Sequence, residues 1–471
     1  MANITQKQYS VINQSIRNYR VKIELLNFKL QTVDELSGNV LSGNIDINAT
    51  SDIRRTCSLE LVVTDKSFEI KSGGKIWLNT YIRIWLGIDS LIGGETIWFN
   101  KGVFLIDAPS WKYDGATNTL SLQGLDLMAK MTGLRNGFLS GLTTIIPQNS
   151  SVRDAIIATI KLAGFDKYVV DECMSGDVIQ KVPYEIKIDQ GGTVYDILSE
   201  LRNILPNYEI YFDVDGVFHY NLIPTGKNEP IAVGDDIWDN VVLSEDISTD
   251  FSDVKNSIIV YGRSLDPARY ATATVSGNNY VVAYANVTSL SDNLLYGFTA
   301  PSIISAPYLK VNNLVAYPIV NDDNTVAIIP EPNVYYVVKW DSGRNKFIFL
   351  GHQQVIGVTK DENPNSPFYI GGDLGEIRLP LYGDEYDNIV TDNLCLQRAK
   401  WELWKHTRLQ DKISLNCVPI LFLDVNTLVE YTQRDTTAPV QYIVKSISTG
   451  LGYNDTMSIT MIQYYPFYST I

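Results

Sequence analysis

The sequence contains few of the residues that usually build catalytic and metal sites. It has three histidines in 471 residues, none at ligand spacing from another histidine, a cysteine or an acid. The four cysteines, Cys57, Cys173, Cys395 and Cys417, are widely separated and form no C-x-x-C pair. We predict reduced, mostly buried thiols instead of a disulfide framework or zinc site. Nucleophile elbows and phosphate loops are also absent. We therefore expect no cofactor, no metal and no enzymatic activity.

Long apolar runs and basic clusters are missing as well. The most apolar stretch, Trp77 to Ile88, is interrupted by polar and charged residues, so no segment reaches membrane-spanning length. The N-terminus has no apolar signal core, and we expect synthesis and folding in a cytoplasm. The formal net charge is −15, and the longest basic cluster is Arg54-Arg55. This composition argues against a duplex-binding groove.

One acidic motif needs separate consideration. Asp213-Val214-Asp215-Gly216 is similar to the start of a calcium loop, but Phe218, His219 and Tyr220 then continue a strand where further oxygen ligands would be needed. The two carboxylates could also be imagined as a catalytic pair. Acids in this position are more often turn formers, so the motif favours a hairpin turn.

What the sequence does contain is a repeated order of β elements near its two ends. The first set has strand candidates at Tyr81–Trp85, Val103–Asp107 and Thr119–Leu122, with a turn at Tyr113-Asp114-Gly115. The second set has candidates at Leu428–Tyr431, Tyr442–Lys445 and Met457–Thr460, with a turn at Tyr453-Asn454-Asp455. Alternating apolar residues between Gly, Asn and Asp predict strands. Two small β units of similar plan are therefore predicted to bracket the chain.

Between them the pattern changes to helices. Ser151-x-x-Asp154 and Thr193-x-x-Asp196 each precede an apolar helical pattern and are typical of helix N-caps. We predict a mainly β fold with α+β, in which two similar small β-barrel domains flank an α+β domain and a long β-rich insertion is added. The predicted domains are 1–145 (first barrel with an N-terminal helix), 146–240 (α+β), 241–263 with 381–471 (second barrel with a helix) and 264–380 (insertion).

Within the predicted insertion, the segment Gly297 to Val320 has a single charge, Lys310, and three prolines. It cannot form a helix and is predicted to be either core or a partner-facing surface. The candidate interface residues are Ile303, Ile304, Tyr308, Leu314 and Tyr317. The eight tryptophans and 28 tyrosines leave carbohydrate stacking by this insertion open as an alternative role.

Four stretches of the chain carry a resemblance to a known family: Trp98–Thr132, Tyr208–Pro224, Asn363–Asn388 and Gln397–Thr432, in this order. They resemble the baseplate hub, or tail-tip, proteins of tailed phages and phage-derived contractile particles, especially those of Gram-positive hosts. The poorest match is about 264–360.

The resemblance implies a homotrimeric ring at the distal end of the tail of a virion. Two similar barrels in each subunit would present six surfaces to the six-fold tail tube or a distal tail protein. The other side would stay three-fold for a spike, tape-measure or fibre protein, and DNA would pass through the lumen without sequence-specific binding. The alternative is a tail-tip adhesin that binds cell-wall carbohydrate through its insertion. A wall-degrading tail enzyme is a third, weaker hypothesis, because no acid/base or metal set supports it.

Overall fold

The computed structural model describes residues 5–36, 39–63, 68–78, 80–113, 115, 118–141, 143–175, 178–224, 230–409, 411–434, 436, 438–452 and 454–466. One residue of each predicted turn, Asp114 and Tyr453, lies outside these residues. None of the described helices is long and apolar enough to cross a membrane.

Strands dominate the described residues and are numbered in chain order. They are β1 (Tyr19–Leu26), β2 (Thr32–Glu35), β3 (Asn39–Asn48), β4 (Arg55–Val62), β5 (Tyr81–Asp89), β6 (Thr96–Tyr113), β7 (Asn118–Leu125), β8 (Thr144–Ile146), β9 (Tyr168–Val170), β10 (Met174–Ser175), β11 (Val178–Ile179), β12 (Ile186–Ile188), β13 (Tyr208–Phe212), β14 (Phe218–Leu222), β15 (Ile231–Val233), β16 (Val242–Thr249), β17 (Ser257–Ser264), β18 (Arg269–Thr272), β19 (Thr274–Ser276), β20 (Asn279–Val282), β21 (Leu295–Ala300), β22 (Tyr308–Val311), β23 (Tyr317–Val320), β24 (Val334–Asp341), β25 (Lys346–His352), β26 (Gln354–Lys360), β27 (Arg378–Leu381), β28 (Asp411–Cys417), β29 (Leu428–Tyr431), β30 (Val440–Gly450) and β31 (Met457–Gln463).

The helices are fewer and short. They are α1 (Gln6–Ile12), α2 (Val152–Leu162), α3 (Val194–Ile204), α4 (Asp235–Trp238) and α5 (Asp392–His406), with 3-10 turns at Leu127–Lys130 and Asp384–Asn388. The predicted cap residues begin their helices: the side chains of Ser151 and Thr193 accept bonds from the backbone three residues on. Thr391 caps α5 in the same way. The prediction of a mainly β fold with α+β elements is confirmed.

The chain divides into two compact units. The main unit comprises Met1–Asp250 and Gln410–Ile471, and the inserted unit comprises Phe251–Leu409. The four predicted domain ranges stay a prediction. The position of α5 differs from the prediction, because the predicted second barrel includes this helix. In the structure it packs against β17 and β26 within the inserted unit, because Gly357 on β26 lets the backbone of the helix approach closely.

The main unit contains two sheet repeats with one topology. The first repeat pairs its strands in the order β1-β5-β6-β7-β4-β3, and the second in the order β15-β29-β30-β31-β28-β16. The first repeat has one additional strand, β2, which pairs with β1 at the outer end of the sheet. When β2 is left out and the other strands are numbered along the chain within each repeat, both orders read 1-4-5-6-3-2. The repeats differ at one end, since β1 and β5 are antiparallel whereas β15 and β29 are parallel. The predicted similarity of the two β units is confirmed.

The two repeats are joined into one sheet through β3, the last strand of the first order, and β30, an inner strand of the second order. Residues 44–48 of β3 pair with residues 446–450 of β30. Apolar side chains from both repeats, including Ile45, Leu59, Ile447 and Met461, belong to one buried core. Burial of about 25 cal/mol per Å² of apolar surface makes such a shared core strongly stabilising. The repeats therefore share one sheet and one buried core.

A short α+β section links the repeats along the chain. Helices α2 and α3 pack against each other, and α3 also packs on β13 of the small sheet β13-β14-β9. The motif at Asp213 forms the predicted hairpin turn between β13 and β14. Its carboxylate Oδ1 accepts from the backbone N–H groups of Asp215 and Val217, each at 2.9 Å, and Gly216 has φ +78°.

The inserted unit contains a nearly closed barrel. Its sheet has the order β18-β21-β24-β25-β23-β22-β20-β19. The two end strands, β18 and β19, follow each other in the chain and are separated only by Ala273, which brings the two ends of the sheet together. The interior is filled by large side chains, among them Tyr280, Tyr296, Phe298 and Phe347. A filled interior shows that this barrel is a packed core, not a channel.

Candidate functional site

The joined sheet of the main unit has one apolar face and one polar face. Side chains alternate along a strand, so the residues that lie between core positions point to the opposite side of the sheet. On neighbouring strands these residues are paired and form rows. Two long rows run across the boundary between the repeats. They consist of Thr56, Asp46, Ser448, Ser458, Asn416 and Ser244, and of Asn48, Ser446, Thr460, Ser414 and Asp246. We call these rows, with Ser42, Asn44, Ser58, Glu60, Ser121 and Gln123 beside them, the polar face.

Within the rows of the polar face and the residues beside them, the side chains are uncharged or acidic, and the charged members are Asp46, Glu60 and Asp246. Lys412 on β28 and Lys112 on β6 follow on the same side of their strands, beyond the rows. Short side chains bond one another: Asn44 Nδ2 donates to Asp46 Oδ1 at 2.7 Å and to Ser448 Oγ at 3.1 Å. The rows themselves offer hydration and a weak negative potential, and the two lysines lie at their margin.

A cluster of buried charged side chains, the buried ionic cluster, lies where β4 of this sheet begins. Arg54, at the end of the turn between β3 and β4, and Arg55, the first residue of β4, lie inside the main unit, where they are 4% and 1% exposed. The guanidinium of Arg54 donates to Glu209 of β13 and lies 3.9 Å from the ring centroid of Tyr211. Arg55 donates to Asp424, in the segment that leads into β29. The cluster thus ties the first repeat, the α+β section and the second repeat together.

Neighbouring polar groups complete the cluster. Asn426 donates to Glu209 and accepts from Lys445 Nζ at 3.0 Å. Asp126 accepts from the backbone N–H groups of Arg55 and Met128, at 3.0 and 2.9 Å. Burial raises the pKa of the Asp126 carboxyl above its ordinary value. Each ion is therefore matched by partners, which a charge in an apolar interior requires.

A buried lysine lies next to this cluster. Lys101 is 3% exposed, and its Nζ donates to the backbone oxygen of Leu421 at 2.9 Å. Burial lowers the pKa of Lys101 from 10.5 to about 8; Asp424 opposes this shift and Arg55 adds to it. Sequence reasoning missed the whole cluster. Its only local signal was a pair of adjacent arginines between two apolar strands.

The structure separates the five predicted interface residues. Ile303 and Tyr308 are 55% and 39% exposed, whereas Ile304 is 8% exposed and belongs to the barrel core. Leu314 and Tyr317 are partly buried against that core, and the ring of Tyr317 lies 4.6 Å from Trp340. Only Ile303 and Tyr308 are thus exposed, and their role at an interface stays a prediction.

The histidines and cysteines occupy structural positions. His219 lies 3.0 Å from Asp213, His352 lies 2.6 Å from Asp392, and His406 bonds the backbone oxygen of Asp253 near the end of α5. All four cysteines are buried and free, as predicted. Within the part of the chain that the structure describes, no cluster of His, Cys, Asp or Glu could hold a metal ion.

Comparisons with known proteins identify the fold. The 43 kDa tail protein of prophage MuSo2 from Shewanella oneidensis superimposes with a TM-score of 0.51 at 11% identity, covering 94% of this chain and 98% of that one. A tail protein from Neisseria meningitidis MC58 gives 0.50 at 10% identity, covering 95% and 97%. A family described as "Domain of unknown function (DUF5048)" matches residues 365–468. No curated protein matches the sequence. The chain has the fold of phage tail proteins, and the predicted resemblance is confirmed at that level.

Proposed function

We propose that this protein is a structural subunit of a phage tail tip and forms a homotrimeric ring. The observation that carries the proposal is the internal repeat, in which one six-strand topology occurs twice within a single joined sheet. Three such chains present six similar surfaces while keeping a three-fold axis. Duplication within the subunit therefore adapts a six-fold partner to a three-fold one.

The partners follow from this symmetry. The six similar surfaces fit the tail tube or a distal tail protein, and the three-fold side fits a spike, tape-measure or fibre protein. The ring lies at the distal end of the tail in the virion, and its role is passive: it holds the tube to the tip and leaves a passage for DNA.

The polar face is assigned to the wall of that passage. Phosphates moving along it meet hydroxyl, amide and carboxylate groups, with Asp46, Glu60 and Asp246 as the charged ones. Affinity for DNA comes chiefly from cations that displace counterions, and the rows of the polar face contain none. DNA therefore passes without being retained.

Oligomeric state is the first test. Light scattering on the purified full chain is expected to give three times the single-chain mass of 52.8 kDa, and electron-microscopic class averages are expected to show a ring with six lobes. A monomer that stays monomeric when mixed with its tube or distal tail partner contradicts the trimeric ring.

Threading of DNA tests the passage separately. In the triple variant Asp46→Lys, Glu60→Lys, Asp246→Lys, linear duplex should enter the ring and be retained in a salt-dependent way, since lysines bind phosphates with counterion release. Covalently closed circular plasmid has no end to thread and should not be retained. The matched control is Asp166→Lys, Glu185→Lys, Asp189→Lys, which changes the same charge at exposed acids of the α+β section. Equal retention of linear and circular DNA places the polar face outside any channel.

A further inference from the structure

The inserted unit contains an open cleft outside its barrel. Its volume is about 820 Å³, within the usual range for ligand pockets. The cleft is lined by Tyr261, Gly262, Arg263, Ser264, Gln354, Tyr382, Gly383, Asp387 and Asn388. It lies where β17 and β27, which run parallel, come to their carboxyl ends. Side chains that follow adjacent parallel strands converge at such an edge, a common position for binding sites.

The floor of the cleft is held by hydrogen bonds. The backbone N–H of Arg263 donates to the oxygen of Ile389 at 2.8 Å, and Nε of Arg263 donates to the backbone oxygen of Asp387 at 3.0 Å. Gln354 Nε2 donates to the oxygen of Gly262 at 2.6 Å. A Cβ at Gly262 would lie 2.5 Å from the oxygen of Ile389, so only glycine fits there. The arginine is therefore positioned before any ligand arrives.

The rim carries an exposed aromatic ring. Tyr382 is 72% exposed, and the following Gly383 has φ +77°, which favours glycine and fixes the turn after β27. Tyr261 contributes a second, half-buried ring to the same cleft. Aromatic faces that remain accessible beside polar groups can stack on the C–H faces of sugar rings.

The polar lining complements hydroxyl groups rather than a net charge. Arg263 donates, the carboxylate of Asp387 accepts, and the amides of Gln354 and Asn388 offer both functions. The charged lining residues are one arginine and one aspartate, so their formal charges cancel. A phosphate polymer would need an excess of cations, whereas a neutral sugar needs paired donors and acceptors next to an apolar ring.

We infer that this cleft binds a neutral saccharide, with Tyr382 as the stacking platform and Arg263, Gln354 and Asp387 as the hydroxyl-binding groups. A structural subunit of the tail tip would thereby also contact the carbohydrate of a cell surface. The inference rests on the inserted unit alone and is independent of whether the chain forms a ring.

The test is binding of the full chain to an array of neutral oligosaccharides containing glucose, galactose, rhamnose or N-acetylhexosamines, followed by calorimetry on the best binder. Anionic glycerol-phosphate and ribitol-phosphate polymers form a second arm. Tyr382→Ala should weaken binding about tenfold through loss of stacking. Asp387→Ala, which keeps the backbone oxygen that positions Arg263, should weaken it by a similar factor.

Tyr270→Ala is the matched control, because Tyr270 is 57% exposed in the same unit and does not line the cleft. It should bind like the parent protein, and circular dichroism should show all three variants folded. Failure of the parent protein to bind any neutral oligosaccharide, or equal binding by Tyr382→Ala, overturns the inference. Preference for the anionic polymers overturns it as well, because that result identifies a different ligand class.

Discussion

Removing one ion from the buried ionic cluster should strongly destabilise the main unit, and Glu209 is the place to test this. Glu209 is 8% exposed and accepts from Arg54 and Asn426, with Asn221 Nδ2 at 3.2 Å from its other oxygen. Glu209→Ala leaves the buried guanidinium of Arg54 without its counter-ion. Removal of one partner from a buried ion pair costs about 3–5 kcal/mol.

Hydrogen exchange followed by mass spectrometry is the suitable assay, because it reports each unit separately. Each 1.4 kcal/mol of lost stability speeds exchange about tenfold. In Glu209→Ala, peptides from the core strands β4 and β30 should therefore exchange about two to four orders of magnitude faster. Peptides from β24 and β25 of the inserted unit serve as the internal reference, since all these partners lie in the main unit.

Two further variants separate charge from packing. Glu209→Gln keeps an acceptor for Asn426 but removes the charge, so this variant should lose less stability than Glu209→Ala. Arg54→Met with Glu209→Met removes both ions together, and replacement of a buried pair by apolar groups is often close to neutral. This double variant should recover at least half of the stability that Glu209→Ala loses. A loss below about 1 kcal/mol in Glu209→Ala, or a double variant as unstable as the single one, refutes the reasoning.

Two other predictions concern single buried positions. Burial lowers the pKa of Lys101 from 10.5, the value for the unfolded chain, to about 8 in the folded protein. Between these two pH values the folded state binds fewer protons than the unfolded state, so the folded state gains stability as the pH rises. The stability of the parent relative to Lys101→Met, from urea unfolding, should rise by about 1.4 kcal/mol per pH unit between pH 8 and 10; a constant difference contradicts this. Gly357→Ala should loosen α5, because a Cβ there would lie 2.2 Å from the helix backbone at Cys395, whereas Gly343→Ala has no contact closer than 3.4 Å and serves as control. Hydrogen exchange in α5 should be faster in Gly357→Ala and unchanged in Gly343→Ala. Unchanged exchange in Gly357→Ala contradicts the prediction.

Features encoded by local sequence were predictable, and those made by distant residues were not. The caps at Ser151 and Thr193 and the turn at Asp213 depend on groups only a few residues apart. The bond from Asn44 to Ser448 joins residues 404 positions apart, and that from Arg55 to Asp424 spans 369. No periodicity within a strand specifies which distant strand will pair with it. The order of strands in each set was therefore visible, but their union into one sheet was not.

The predicted interface shows where composition is ambiguous. A low charge between Gly297 and Val320 is compatible with either core or surface, and the structure divides the five chosen residues between the two. Ile304 and Tyr317 contribute to the barrel core, while Ile303 and Tyr308 remain accessible. The fold alternates inward and outward positions along each strand, so a block of apolar residues cannot lie wholly on one side. The cleft had no sequence signal at all, because its lining comes from three separate segments.

The repeat also explains where the inserted unit could be accommodated. In the first repeat, β3 and β4 are joined by a tight turn in which the backbone N–H of Asn48 donates to the oxygen of Arg54 at 2.9 Å. At the equivalent point of the second repeat, between β16 and β28, the chain contains the whole of Phe251–Leu409. The ends of that unit meet, since the N–H of Lys255 donates to the oxygen of His406 at 3.2 Å.

Because its ends are adjacent, the inserted unit replaces a hairpin turn without altering the strand order on either side. The pairing 1-4-5-6-3-2 is accordingly the same with the insertion as without it. In the joined sheet each repeat has a counterpart with the same strand order, whereas the inserted unit interrupts only the second repeat. The proposed assembly and the proposed saccharide binding therefore depend on different parts of the chain, and substitutions at Tyr382 should leave the proposed ring intact while Glu209→Ala should not.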